Sequence, residues 1–227
     1  MSENLIPLKP TEVRQICLVN GLIIPDSQWQ LLEEWAYLLL NYNQEINLIS
    51  RKETDLLWEK QILHCLSLPI FRKIPQGVEV CDFGTGGGLP GIILAIIRPD
   101  LHLTLADSRQ KKVAVVQKMV DDLSLSNVRV ICGRGEILGK QAEWNQRFSV
   151  ITARAVAPLI DLVRWTIGLR KPESELHVLK GGEIQEEIKA LSLMVKGIKV
   201  SKSMILMKDY AKFKQNQKYI ISINFSS

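Results

Sequence analysis

The sequence predicts an α/β protein, in which a parallel sheet is covered by helices on both faces and preceded by a helical extension. Three observations support this fold class. In the first 76 residues, apolar side chains recur at helical spacing; from residue 77 onward, short apolar runs alternate with amphipathic stretches; and a glycine-rich stretch follows the first apolar run. Strands that alternate with helices are typical of parallel sheets. We therefore expect a helical extension over residues 1–76 and a core over residues 77–227, together forming one compact unit.

Two stretches of the extension have the apolar spacing of amphipathic helices. Residues 27–41 put Trp29, Leu32 and Trp35 on one stripe, and residues 55–71 repeat the pattern with their leucines. Side chains at such spacing lie on one face of a helix. The extension is therefore predicted to be mostly helical.

The core begins with five apolar runs, each predicted to be a strand. An amphipathic helix is predicted after each of them except the third, which a short polar stretch follows. They are VEVCDF with GIILAIIRP, LHLTLAD with RQKKVAVVQKMVDDL, VRVICG with a short polar stretch, FSVITARAV with PLIDLVRWTIG, and ELHVLKG with EIQEEIKALSLM. Two further apolar runs, at 198–207 and 219–225, are joined by a lysine-rich connection in which no helix is predicted. These two runs can close the sheet as an antiparallel pair.

The composition limits the class of protein. Hydrophobic residues make up 46% and charged residues 23% of the chain, the balance of a globular protein rather than a disordered one. No stretch has the roughly 18 apolar residues of a membrane span, and MSENLIPLKPTEV lacks the basic start and apolar run of a signal peptide. We expect a cytoplasmic monomer. The net charge of +5 permits an anionic partner without identifying one.

The cysteines and histidines do not have the spacing of a metal site or of a disulfide framework. They are Cys17, Cys65, Cys81, Cys132, His64, His102 and His177. No metal is therefore expected, and His64 is predicted to be a packed side chain rather than a catalyst.

The glycine-rich stretch DFGTGGGLPG, at residues 82–91, predicts a ligand site. It follows the first strand, and ligands of open parallel sheets bind where the strands end. Glycines there can adopt backbone angles that are closed to other residues and let a ligand approach the main chain. With Asp107 as the ribose-binding acid, Gly86, Gly88 and Gly91 match the dinucleotide fingerprint, which would make the protein an NAD(P)-dependent oxidoreductase. Two other interpretations of the glycine-rich stretch are a site for a methyl donor and a tight turn that binds no ligand.

Asp82 favours a methyl donor over NAD. A carboxylate directly before the glycine turn would repel a pyrophosphate bound there, whereas it would attract the cationic methionine end of S-adenosylmethionine. Asp107, which ends the next strand, would then accept hydrogen bonds from the ribose hydroxyls of the same cofactor.

Several stretches together resemble the glucose-inhibited division protein B family, the guanine-N7 methyltransferases of small-subunit ribosomal RNA. They are YNQEINLIS, FGTGGGLPG, LADSRQKKVAVV, ITARAVAPL and VLKG, and the resemblance runs from residue 31 to residue 181. It implies a Rossmann-like class I methyltransferase sheet with N-terminal helices. It also implies S-adenosyl-L-methionine as donor and 16S ribosomal RNA, free or in the small subunit, as acceptor.

The resemblance and the glycine stretch together imply a set of cofactor-binding residues. They are Asp82, Gly84, Gly86, Leu89, Asp107, Ser108, Gly135, Glu136 and Arg154. One departure is that the family usually has His-x-x-Asp-Ser before the sheet, where this chain has Gln61, His64 and Cys65. No catalytic residue is expected, because guanine N7 has a lone pair and no proton to remove, so that positioning suffices.

Basic side chains near the predicted site could contact RNA phosphates. The candidates are Arg109, Lys111, Lys112 and Lys180, with the lysines between residues 196 and 218 as a further group. Phosphate contacts would make binding dependent on salt without selecting a sequence. Each of these cations could equally be part of a solvated surface, Lys180 and Arg154 could pair with core carboxylates, and a non-catalytic RNA-binding protein remains an alternative.

Overall fold

The computed structural model describes residues 7–226, and in it seven strands form one sheet in the order β3-β2-β1-β4-β5-β7-β6. The strands are β1 (Glu79–Phe83), β2 (His102–Asp107), β3 (Val128–Cys132), β4 (Phe148–Arg154), β5 (Arg170–Gly181), β6 (Ile198–Met204) and β7 (Lys218–Phe225). Strands β1 to β5 pair in parallel, and β7 is antiparallel to both β5 and β6. The predicted α/β class and the closing antiparallel pair are confirmed.

The helices cover both faces of this sheet. They are α1 (Pro10–Val19), α2 (Asp26–Glu45), α3 (His64–Phe71), α4 (Gly91–Ile97), α5 (Gln110–Asp122), α6 (Gly135–Leu138), α7 (Leu159–Trp165), α8 (Gln185–Met194) and α9 (Lys212–Gln215). A 3₁₀ segment, Arg51–Leu56, and a π-helical segment, Leu57–Leu63, connect α2 to α3. Within residues 7–226, none of the helices has the length and apolar character needed to cross a membrane.

The lysine-rich connection contains the one-turn helix α9, so the prediction that it has no helix was wrong. The reason is Phe213, which is only 2% exposed and packs edge-on against Tyr210, with ring centroids 4.8 Å apart. The same ring lies 5.5 Å from the imidazole of His64. One buried aromatic side chain therefore folds this short turn against the helical extension, although the residues around it are polar.

The extension packs on one face of the core. Trp35, Leu32 and Leu39 of α2 are fully buried, in a cluster that also contains side chains of α4, β1 and β2. Every residue of α4 is buried, because α4 lies between the sheet and the extension. This burial explains why GIILAII is apolar on all sides.

The strand order reverses between β1 and β4. Strands β2 and β3 follow β1 on one side, whereas β4 and β5 lie on the other. The loops after β1 and β4 therefore leave in opposite directions, which opens a crevice at the carboxyl ends of these strands.

Candidate active site

The glycine loop connects the end of β1 to the start of α4. The backbone N–H groups of Gly84 and Thr85 donate to the carbonyl oxygen of Ala106, at 2.8 and 3.1 Å, which holds the loop against the end of β2. Gly84 has a φ of 71°, in the left-handed region that favours glycine. At Gly91, a Cβ atom would lie 2.2 Å from Leu105 Cδ2, so that only glycine lets α4 start this close to the sheet.

The buried side chain of Asp82 holds this loop in place through hydrogen bonds. It is fully buried, and its Oδ2 accepts hydrogen bonds from the Thr85 hydroxyl at 2.6 Å and the Gly91 N–H at 2.9 Å, while its Oδ1 accepts one from the Thr152 hydroxyl at 3.0 Å. Burial raises the pKa of Asp82 to about 6, although these three hydrogen bonds and Arg154 act to lower it. Asp82 is not among the residues that line the crevice. The prediction that its carboxylate faces the cofactor therefore needs correction, because both oxygens are directed to groups of the protein.

Asp107 lies at the end of β2 and faces the crevice. Its Oδ2 accepts a hydrogen bond from the Gly86 N–H at 3.0 Å, and its Oδ1 accepts one from the Arg109 N–H at 2.9 Å. A carboxylate has about four acceptor sites, two on each oxygen. These two bonds orient the carboxylate and leave acceptor sites for a ligand.

The crevice is a cavity of about 780 Å³. All the predicted cofactor residues except Asp82 line it: Gly84, Gly86, Leu89, Asp107, Ser108, Gly135, Glu136 and Arg154. Two aromatic residues that the sequence did not single out, Phe83 and Trp165, line it as well. A Cβ atom at Gly135 would lie 2.2 Å from the carbonyl oxygen of Trp165 and 2.8 Å from Phe83 Cε2. Glycine at this position thus lets the chain after β3 pass close to both aromatic residues.

The helical extension supplies one wall of the cavity. Leu48, Ile49 and Ser50, which follow α2, line it together with Glu53 and Gln61. None of these five was among the predicted site residues.

Asn43 holds this wall in place. Its buried Oδ1 accepts hydrogen bonds from the N–H groups of Leu48 at 2.8 Å and Ile49 at 2.9 Å. In the sequence, the stretch YNQEINLIS indicated only a family resemblance, and Asn43 is the residue in it that shapes the wall.

A family model described as rRNA small subunit methyltransferase G matches residues 28–217. The chain belongs to this family.

Relatives of the same description cover most of the chain. The protein from Chlorobium limicola is 39% identical over 77% of this chain and 77% of its own length, and that from Moorella thermoacetica is 32% identical over 79% and 77%. Both are called ribosomal RNA small subunit methyltransferase G.

Solved structures with low sequence identity share the fold. A SAM-dependent methyltransferase from Aquifex aeolicus has a TM-score of 0.51 at 16% identity, over 68% of this chain and 85% of its own. A mutant of MtNAS in complex with S-adenosylmethionine has a TM-score of 0.58 at 14% identity, over 97% of this chain and 85% of its own. The resemblance noted in the sequence and the methyltransferase fold are both confirmed.

The predicted RNA-contacting cations have different surroundings. Arg109 and Lys112 line the cavity, whereas Lys111 is exposed and does not. Burial, followed by the charge of Arg109, lowers the pKa of Lys112. The Lys180 ammonium donates to the carbonyl oxygen of Ala157 at 2.9 Å and forms an ion pair with Glu187 at 2.9 Å.

Lys180 is therefore part of a structural contact. The same Glu187 Oε2 accepts a hydrogen bond from the backbone N–H of Leu159 at 3.1 Å, at the start of α7. A cation that is held in this way is not free to follow a phosphate, and Lys180 does not line the cavity. The structure accordingly favours the alternative in which Lys180 pairs with a carboxylate of the core.

His64 is packed beneath the site and not exposed in it. It is 4% exposed, and its Nε2 has no hydrogen-bond partner among the described residues. Burial, with the nearby charges of Arg154 and Lys218, lowers the pKa of His64 well below its usual value. The imidazole is therefore neutral and lies outside the set of residues that line the cavity.

A shallow groove continues from the cavity along the extension. It is lined by Asn47, Leu48, Ile49, Ser50, Arg51, Lys52 and Lys112, so that three of its side chains are cationic and none is anionic. Four of these residues also line the cavity, which makes the groove and the cavity one continuous surface. Within residues 7–226, no group of three or more His, Cys, Asp or Glu side chains is placed to hold a metal ion.

Proposed function

We propose that this protein transfers a methyl group from S-adenosyl-L-methionine to N7 of a guanine in 16S ribosomal RNA. The main support for the proposal is a cavity at the carboxyl ends of β1, β2 and β4, which is lined by both the glycine loop and Asp107. The chain that forms this cavity belongs to the rRNA small subunit methyltransferase G family. The division into an extension over residues 1–76 and a core over residues 77–227 is part of the same proposal.

The residues of the cavity fit this cofactor. The Asp107 carboxylate, already oriented by two backbone N–H groups, would accept hydrogen bonds from the ribose hydroxyls. Gly84 and Gly86 would allow close approach to the main chain, and Gly135 with Glu136 would border the adenine. The cofactor supplies a methyl group on a positively charged sulfur, which a nitrogen lone pair can accept.

The proposed acceptor atom has no proton to lose. Within residues 7–226, the ionisable groups that line the cavity are carboxylates, arginines and one lysine, and the proposed reaction requires none of them as a base. A nitrogen that carries a hydrogen would need a base to remove it, whereas guanine N7 needs only to be aligned with the methyl group. The role of the protein is then to hold two reactants in line and exclude water.

The groove supports RNA as the carrier of the guanine. Arg51, Lys52 and Lys112 line the groove, whose lining residues include no acid, and Arg109 is at the cavity itself. Phosphates bound along such a groove would bring a base to the cavity. Lys111 is exposed nearby and could add a further phosphate contact, as could the lysines between residues 196 and 218.

Two measurements test the proposed function. Small ribosomal subunits from cells that lack this protein are incubated with the protein and labelled S-adenosylmethionine, and the label is mapped on the RNA. Label on guanine N7 is expected. Label on another atom would refute the choice of acceptor, RNA binding without label would favour a non-catalytic RNA-binding protein, and a bound NAD in the purified protein would favour an oxidoreductase.

The second measurement tests the groove. Arg51→Gln with Lys52→Gln should reduce the slope of log affinity against log salt by roughly one for each phosphate that the protein no longer neutralises. Arg129→Gln with Lys171→Gln is the matched control, because these residues are exposed at the amino ends of β3 and β5. An equal effect in both pairs would mean that the groove has no special part in binding RNA.

A further inference from the structure

Gln61 is a buried polar residue of the cavity wall. It belongs to the π-helical segment Leu57–Leu63, is 2% exposed as a residue and lines the cavity. Single π-helical turns are frequent at functional sites, because they turn a side chain in a direction that a regular helix would not allow. Neither the glycine loop nor the predicted cofactor residues include Gln61.

The amide of Gln61 connects two charged side chains that also line the cavity. Its Nε2 donates to Glu53 Oε2 at 2.7 Å, and its Oε1 accepts a hydrogen bond from Arg154 Nη2. The charges of the partners determine which way the amide faces, since a carboxylate can only accept and a guanidinium can only donate. A flipped amide would bring two donors together at Arg154 and two acceptors together at Glu53.

The remaining hydrogen bonds and ion pairs of these partners are made by the same part of the chain. Arg154 Nη1 donates to the carbonyl oxygen of Lys60 at 3.2 Å, and the Lys60 ammonium lies 3.6 Å from Glu53 Oε1. Arg154 has five N–H donors, and within residues 7–226 the other three make no hydrogen bond to the protein. Its guanidinium is thus held on one side by the extension and retains donors for a ligand.

We infer that Gln61 is a positioning residue, which sets the orientation of the Arg154 guanidinium in the cofactor cavity. Arg154 ends β4, and the hydrogen bonds of its guanidinium are made with residues more than 90 positions earlier in the chain rather than with neighbours in its own strand. Without the Gln61 amide, the Arg154 side chain would keep only its hydrogen bond to the Lys60 carbonyl, and Glu53 Oε2 would lose its donor. The inference rests on the proposed function and on the sequence prediction that Arg154, which lines the cavity, binds the cofactor.

A double-mutant cycle separates positioning from packing. The affinity for S-adenosylhomocysteine is measured by calorimetry for the wild type, Gln61→Leu, Arg154→Ala and the double variant. We expect Gln61→Leu to weaken binding about tenfold in the wild-type background, the scale of losing one charge-assisted hydrogen bond. In the Arg154→Ala background, the same substitution should change the affinity less than about twofold, because its target is already absent.

Two further variants keep the result interpretable. Gln61→Asn retains the amide but is one methylene shorter, so it cannot reach both partners, and it should show the same coupling if Gln61→Leu melts too low for calorimetry. Gln117→Leu is the matched control: Gln117 is half-buried on α5, donates to Asp121 at 2.8 Å and does not line the cavity, and its replacement should leave the affinity unchanged.

The affinities distinguish a failure of the inference about Gln61 from a failure of the proposed function. Equal losses of affinity in the two backgrounds, or no loss in the wild-type background, would overturn the inference and leave the proposed function standing. A wild-type protein that binds no S-adenosylhomocysteine would overturn the proposed function, and the inference with it.

Discussion

Replacing Asp82 by asparagine should change how the stability of the protein depends on pH. The pKa of this buried carboxyl is raised from an ordinary value of 3.8 to about 6, first because of its burial. A raised pKa means that the folded state holds the proton more tightly than the unfolded state does. The contribution of Asp82 to stability is therefore largest at acid pH and is lost as the pH rises from 3.8 through 6.

The magnitude follows from the two pKa values. A shift of about two units corresponds to about 3 kcal/mol once the pH is above both. At pH 5 the unfolded state is already ionised and the folded state is still protonated, so that roughly half of this loss has occurred. Between pH 5 and pH 8, Asp82 should therefore lower the free energy of unfolding by about 1.5 kcal/mol.

Asparagine can keep a hydrogen bond to each of the three partners of the carboxyl. Its amide oxygen can accept the hydrogen bonds of the Thr85 hydroxyl and the Gly91 N–H, which now share one carboxyl oxygen. Its NH₂ group can donate to the Thr152 hydroxyl, which can rotate to accept. The substitution thus removes the titration and keeps the loop.

Urea unfolding at pH 5 and pH 8 measures the effect. From pH 5 to pH 8, the free energy of unfolding of the wild type should fall by about 1.5 kcal/mol relative to that of Asp82→Asn. Burial lowers the pKa values of His64 and His177, so their effect on the pH dependence of stability is opposite to that of Asp82. Both the wild type and Asp82→Asn contain these histidines, so their effect cancels in the comparison. Asp100→Asn is the control: hydrogen bonding to Arg98 lowers the pKa of Asp100, which should not titrate in this range. Identical pH dependence in the wild type and Asp82→Asn would mean that the pKa of Asp82 is not raised by folding.

Three other predictions concern the cavity. Asp107→Ala should weaken the binding of S-adenosylmethionine and S-adenosylhomocysteine by about 1–3 kcal/mol in calorimetry, since the ribose hydroxyls of the bound ligand would lose a hydrogen-bond partner; unchanged affinity would remove Asp107 from the site. Gly135→Ala should lower the free energy of unfolding by about 1–3 kcal/mol, because the added Cβ would lie 2.2 Å from the carbonyl oxygen of Trp165; an unchanged urea midpoint would contradict this packing. His64→Ala should retain most activity, and single-turnover methyl transfer should vary little between about pH 6.5 and 8.5; a steep rise with pH would point to a general base and to an acceptor other than N7.

The class of fold and the position of the site could be predicted from local patterns in the sequence. Apolar runs that alternate with amphipathic stretches are local signals, and so is a glycine stretch directly after a strand. Because parallel strands all end at one edge, Asp107 and the glycine loop were expected to lie together, and they are joined by a hydrogen bond from the Gly86 N–H. Nothing beyond neighbouring elements was needed for these conclusions.

The partner of each polar side chain could not be predicted in this way, because it depends on how distant parts of the chain pack together. From the sequence, Asp82 was predicted to bind the cofactor and Lys180 was a candidate contact for RNA phosphates. In the structure, Asp82 accepts hydrogen bonds from the glycine loop, and Lys180 pairs with Glu187. Conversely, Gln61 looked like a mere departure from a family pattern, and it holds Arg154 in the cavity wall.

The physical reason is that hydrogen bonds and ion pairs depend on distances of about 3 Å between atoms, whereas a pattern in the sequence gives only the element and the face on which a residue lies. Arg154 and the Lys60 carbonyl are 94 residues apart in the chain and 3.2 Å apart in space. No periodicity carries that information, because this hydrogen bond exists only after the extension has packed against the sheet.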